Sequence, residues 1–157
     1  MVLPVTAIGI VMDHLTVRLR ADERLPTAET LVVEGPSKVN DNITTVIWLG
    51  WIPTDGRGAF EVTTRDQQGV RVEERFTINY LISVLAADSD PTVAAKTARD
   101  RGLFVLGVLA DILTTRDMSL DGTIGEIKLG PWSMNPWPKP GGIELAVTGS
   151  IVGKSLL

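Results

Sequence analysis

The chain contains no cysteine and only one histidine, His14. The first absence excludes disulfides, thiolate nucleophiles and cysteine-ligated metals, and makes folding in a reducing cytoplasm the simplest expectation. The second leaves any zinc site dependent on carboxylates, an unusual donor set. His14 lies beside Asp13 in a helical segment, where adjacent residues do not face each other, so it reads as a surface or partly buried structural residue. No apolar run approaches the ~20 residues that span a bilayer, the longest being Leu103 to Ala110. The opening MVLPVTAIGIVMDHL lacks a basic region and a small-residue cleavage site, so no signal peptide is expected. Neither TDGRG nor GPWSMNPWPKPGG is followed by Gly-Lys-Ser/Thr, and neither stands between a strand and a helix, which excludes a phosphate loop. Positive charge is not in excess either. The net charge is -4 and the pI about 5.0, and basic residues alternate with acids, as in RVEER. This argues against a phosphate backbone as the main partner.

What remains is an ordinary folded composition, 44% apolar and 22% charged over 157 residues. That is enough for one domain, 1–157, with a real core. A first helix is predicted from about Pro4 to Arg20, with Ile8, Val11, Met12, Leu15 and Leu19 on one stripe and Arg18 and Arg20 in the last turn, where cations suit the helix dipole. TLVVEG reads as a short strand and GPSKVNDN as a turn. DNITTVIWLGW, Asp41 to Trp51, is apolar at both alternating sets of positions, so a strand there needs both faces covered. PTDGRG is a flexible connection.

The clearest pattern runs from Val70 to Leu85. Even positions are mostly apolar and odd positions mostly polar, which is strand alternation sustained for about twice the usual ~5–6 residues. Phe60 to Arg65 supplies an antiparallel partner and DQQG the turn. A strand this long outruns a small core, so part of this hairpin is expected to project. A second helix begins at Asp90 as N-cap and Pro91 as first residue. It ends near Thr115, with Ala94, Ala98, Arg101, Val105, Val108, Leu109 and Ile112 at helical spacing. GTIGEIKLG is a strand, PWSMNPWPKPGG a proline-rich loop, and IELAVTGSI the last strand, with Ile143, Leu145, Val147 and Ile151 inward. Strands in hairpin order with two helices define an α+β domain: a mostly antiparallel sheet, both helices packed on one face, and a long projecting hairpin.

Candidate chemistry is sparse. Asp111, Asp117, Asp121 and Glu126 form an acidic cluster, but DMSLDGTIGE lacks the alternate-position oxygens of a calcium loop. A small enzyme using Asp111, Asp117 or Asp121 is a remote alternative; no catalytic residue, metal or cofactor is expected. The residues that stand out suit association. Trp132, Met134 and Trp137 occur among Pro131, Pro136, Pro138 and Pro140. That segment either folds back over the open sheet face or contacts another subunit, where Trp and Met are favoured. Arg71, Glu73 and Arg75 on the polar face of the hairpin, with Arg65 on its other strand, are either solvated or paired with a neighbour's charges.

Nearly the whole chain resembles the tail terminator, or tail completion, proteins of long-tailed bacteriophages, in the version carried by actinobacterial phages. The resemblance rests on an ordered set: an N-terminal helix, LVVEGP, DN followed by TTVIWLGW, the segment RVEERFTINYLISVLAADSDPTVAAKTARDRGLFVLGVLADIL, and a terminal GIELAVTGSIVGKSLL. It implies a structural virion subunit that forms a ring, usually hexameric, at the head-proximal end of the tail tube. Such a ring stops tube polymerisation and presents the joining surface to the head connector. The implied partners are sister copies, the major tail tube protein and the head–tail connector, with DNA only passing through the lumen and no membrane. The implied location is the virion tail and neck, reached from the host cytoplasm. A stopper at the head side and a tail-tube subunit are the neighbouring alternatives. The resemblance would cover the second face of the Asp41–Trp51 strand with the chain's own loops, an adjacent protomer, or both. The segment 131–140 matches no pattern of the family.

Overall fold

A computed structural model describes residues 6–34, 42–50, 60–68 and 71–156, with the backbone alone at 63–68 and 71–72. In chain order the elements are α1 (Ile8–Ala21), β1 (Thr30–Glu34), β2 (Thr45–Leu49), β3 (Phe60–Gln68), β4 (Arg71–Ala87), α2 (Pro91–Leu113), a 3-10 turn (Arg116–Ser119), β5 (Ile124–Lys139) and β6 (Gly142–Leu156). The six strands form one sheet in the order β1-β2-β4-β6-β5, with β3 also paired to β4. Every pairing is antiparallel except β1 with β2. The fold is α+β, with both helices on one face of the sheet.

The alternation in β4 sets the layers. Phe76, Ile78, Tyr80, Ile82, Val84 and Ala86 are all buried on the helix side. Across the ladder, β6 turns Ile143, Leu145, Val147 and Ile151 to the same side, where α1 contributes Ile8, Val11, Met12, Leu15 and Leu19 to one continuous core. α2 begins as its sequence specifies. The Asp90 carboxylate accepts from the backbone N–H of Thr92 at 2.9 Å, and Pro91 opens the helix. Gly102 permits α2 to approach β6: a Cβ there would lie 2.7 Å from Leu145 Cδ2. Arg101 is half-buried, and its guanidinium donates to the hydroxyls of Thr45 and Thr30 at 3.4 and 3.3 Å. α1 has no cap of its own at Ala7. The buried Glu74 supplies one from β4, its Oε1 accepting from Ala7 N–H and from the Thr6 hydroxyl, both at 2.7 Å.

Two expectations change. The strands do not all follow hairpin order, because β1 and β2 lie parallel; their connection, GPSKVNDN, falls largely outside the described residues. The segment 131–140 is not a loop over the open face. It continues β5 through Lys139, paired with β6 from Ile124↔Ser155 to Lys139↔Gly142. Proline is excluded from interior strands because it cannot donate to a ladder on both sides, but β5 is an edge strand, where that donor is dispensable. The ladder slips between Leu129 and Trp132, at Gly130-Pro131, which keeps both of those residues on the helix side.

In β2 apolar residues on both faces are buried. Thr45, Ile47 and Leu49 are buried on the helix side. On the other side Val46 is 5% exposed and its diagonal neighbour Leu81 8%, so the sheet is already closed there within one chain. No adjacent protomer is needed at these positions. β3 and β4 pair from Phe60↔Ile78 to Gln68↔Arg71. Asp66, Gln67 and Gln68 of the expected DQQG turn are therefore strand, which extends β3 beyond Arg65; residues 69–70, the PTDGRG connection and the expected projection of the ribbon fall outside the described residues or their side chains.

Candidate association surface

The sequence singled out two clusters, and the fold separates them. Trp132, Met134 and Trp137 lie along edge strand β5. Register puts Trp132 opposite Gly149, Met134 opposite Val147 and Trp137 opposite Glu144. Trp132 and Met134 therefore share the helix side, while Trp137 points to the helix-free side. Met134 is partly buried against the core. Trp132 is 46% exposed and Trp137 58%. One edge strand thus shows aromatic surface on both of its faces, an arrangement costly to leave in water and favoured at protein contacts. Pro136 and Pro138 stand at alternate positions and address the same edge. With β6 occupying the inner side, their missing donors belong on the outer one, which discourages strand addition there.

The second cluster sits at the opposite end of the ladder. The side chains of Arg65 and Arg71 lie outside the described residues. Glu73 is bound within the chain, 2.9 Å from Lys154 Nζ on β6. Arg75 lies opposite Lys154 and lines a shallow pocket with Glu126 and Lys128. Lys128, 2.9 Å from Glu126, holds that carboxyl below its usual range, with Arg75 and Lys154 adding to the effect.

Of the acidic residues weighed for chemistry, Asp111, Asp117 and Glu126 are tied to cations. Asp117 accepts from Arg18 and from His14 Nε2, the latter at 2.8 Å. Arg18 first, then Thr115 and His14, hold its carboxyl far below the carboxylate range. A carboxylate held that low is a poor proton acceptor. Asp111 pairs with Arg24 at 2.9 Å. These contacts fasten α1 and its exit loop to the end of α2 and to the following turn. Among the described residues no three of His, Cys, Asp or Glu converge to hold a metal, and no described helix is long and apolar enough to cross a membrane.

Sequence reasoning missed a groove of about 740 Å³ between the first turns of α2 and β5. Ala95, Lys96 and Arg99 form one wall, Met134 and Pro136 the other, and Leu145 the floor. Its signal was present in the alanine-rich start of α2 and the alternation of Trp132, Met134 and Pro136, but became readable only once 131–139 is a strand. No known protein family matches the chain, and no curated protein matches it in sequence.

Proposed function

We propose that this chain is a structural subunit of a phage tail, a terminator that closes the head-proximal end of the tube as a ring and offers the joining surface to the head connector. The observation that carries this reading is the pair of half-exposed tryptophans on opposite faces of one proline-guarded edge strand. Such a strand suits lateral packing against another protein through side chains, while it resists open-ended sheet growth. The ordered resemblance of the segments from the first helix to the last strand supplies the identity of the partners: sister copies, the tube and the connector. The function is then geometric rather than catalytic. A heterologous contact that closes by rotation ends growth.

Imaging assembled tails with the protein localised tests this. A single ring at the head end of each tube is the expected result. Labelling along the whole tube would make it a tube subunit, and labelling on the connector alone a stopper. Absence from purified virions, together with monomeric mass at high concentration and no binding to tube ends, would sink the proposal.

A further inference from the structure

The geometry points to Arg101 as a receptor for a carboxylate: the end of its guanidinium takes an Asp or Glu side chain of an adjoining protein chain in a bidentate pair. This rests on the reading above that the chain works by association, and it names the chemistry of one contact.

An arginine presents its N–H donors in a rigid planar fork. At Arg101 the side edge of that fork is in use. Nε donates to the Thr45 hydroxyl at 3.4 Å, and Nη2 to that of Thr30 at 3.3 Å. Both threonines are buried. They open β2 and β1, which pair in register at Thr30↔Thr45. Cζ of Arg101 stands over the ring of Phe104, almost one turn further along α2 and 5.4 Å from the ring centroid, a cation–π contact. Two strands and a helix therefore hold the guanidinium in one place.

The end of the fork is left over. Nη1 and the second N–H of Nη2 have no partner among the described residues, and Nη1 is open to solvent. That end matches the two oxygens of a carboxylate. No carboxylate among the described residues forms an ion pair with Arg101. Asp100, beside it in sequence, pairs with Lys96 and Arg99 at 2.6 and 3.2 Å. Glu29, exposed just before Thr30, is the competitor within the chain. A half-buried cation held by neutral hydroxyls and a ring keeps a desolvation cost that a bidentate anion offsets. The surroundings favour a protein side chain over a free anion. Val93, Thr97, Arg101 and Phe104 share one flank of α2 at helical spacing, and Val93 and Phe104 are each 45% exposed. An arginine set in apolar and aromatic surface is the make-up of an interface centre. An acidic side chain brings its own chain to cover that surface, which a free anion does not.

The probe is acetate, with acetamide as its uncharged counterpart and chloride at matched ionic strength. Nuclear magnetic resonance of nitrogen-labelled protein follows the Nε–H of Arg101, and the exposed Arg116 is the reference. The Arg101 signal should shift saturably with acetate, at a concentration about tenfold below that needed at Arg116, because its fork is already fixed. Acetamide and chloride should leave it unmoved. Arg101→Lys keeps the charge and loses the fork, so the Phe104 ring protons should stop responding to acetate. The same variant should bind tube ends or sister copies about tenfold more weakly. Where it also lowers the melting temperature, Glu29→Gln gives the second reading: acetate should bind at Arg101 at least as tightly as in the native chain. An Arg101 signal that ignores acetate, or follows chloride equally, overturns the site. A response to acetate that appears only after Glu29→Gln shows the pair closing within the chain and overturns it too. Tighter binding of phosphate than of acetate overturns the choice of a carboxylate. Normal assembly of folded Arg101→Lys overturns the protein source and leaves a free-anion site. A native chain that stays monomeric and binds no tube end sinks the reading of function, while a saturable acetate response still supports the site.

Discussion

Tyr80 on β4 lies directly opposite Gly149 on β6, and its hydroxyl oxygen stands 2.5 Å from where a Cβ on residue 149 would be. Phe76 takes the same position over Gly153, four residues along each strand. The glycines leave room for the rings on a face otherwise filled by branched side chains. A methyl at 149 would also meet Trp132 Cβ at 2.8 Å, backbone-anchored and unable to retreat. Gly149→Ala should therefore destabilise the fold by ~1–3 kcal/mol, the usual cost of overpacking. Urea unfolding checks this, and an unchanged midpoint would contradict the geometry.

The same hydroxyl carries a second prediction. Tyr80 is fully buried, and its oxygen has no hydrogen-bond partner. An unpaired buried polar group is a cost, so Tyr80→Phe should leave stability unchanged or raise it by ~1 kcal/mol at neutral pH. Burial pushes the phenol up to about 12, from an ordinary value of 10.0. A raised folded-state value means that stability is fully present below pH 10.0 and is lost as pH rises toward 12. The phenylalanine variant lacks that loss, so its advantage should widen across this window. Tyr80 is the only tyrosine. Its tyrosinate absorbance reads the titration directly, and a midpoint near 10 would refute it.

Asp117 binds α1 to the turn after α2 through Arg18 and His14. Its carboxyl titrates well below the ordinary 3.8, chiefly because of Arg18. A lowered folded-state value stabilises above the unfolded value and fades as pH falls through the acid range below about 4. The side chain is 41% exposed, so solvent screening keeps the contribution at about 0.5–1 kcal/mol. Asp117→Asn should cost about that much at pH 7 and less at pH 2. An equal cost at both values would show that the pairing contributes through packing instead.

The helices and the long strands were legible because periodicity is local. Ile8 through Leu19 at helical spacing, Asp90-Pro91 at the start of α2, and the even positions of β4 each identify themselves within a dozen residues. What escaped depends on position in the sheet. Pro131, Pro136 and Pro138 argue for a loop unless the strand is known to be an edge, and edge position is fixed by partners far along the chain. The parallel β1–β2 pair is likewise a tertiary fact: nothing in TLVVEG distinguishes it from a hairpin arm. The cap that Glu74 gives α1 spans 67 residues of sequence. The site was half legible. Trp132, Met134 and Trp137 were visible as candidates, but their division between two faces required the register, and the groove required β5 itself.

The tryptophans differ in what they do for the single chain, and that difference separates folding from assembly. Trp132 lies opposite Gly149 on the helix side and buries about half of its surface, so Trp132→Ala gives up that burial and should cost ~1 kcal/mol or more of stability. Trp137 lies on the helix-free side at 58% exposure. Trp137→Ala should therefore change the unfolding free energy by less than ~0.5 kcal/mol. At an interface the same side chain is of the type that dominates binding, with truncation costing ~2 kcal/mol or more. Trp137→Ala should thus lower the affinity of ring contact or tube binding by at least ~30-fold while the isolated chain melts normally. Analytical ultracentrifugation beside thermal melting separates the two effects. A variant that assembles normally would remove Trp137 from the interface and leave its exposure to be explained by another partner.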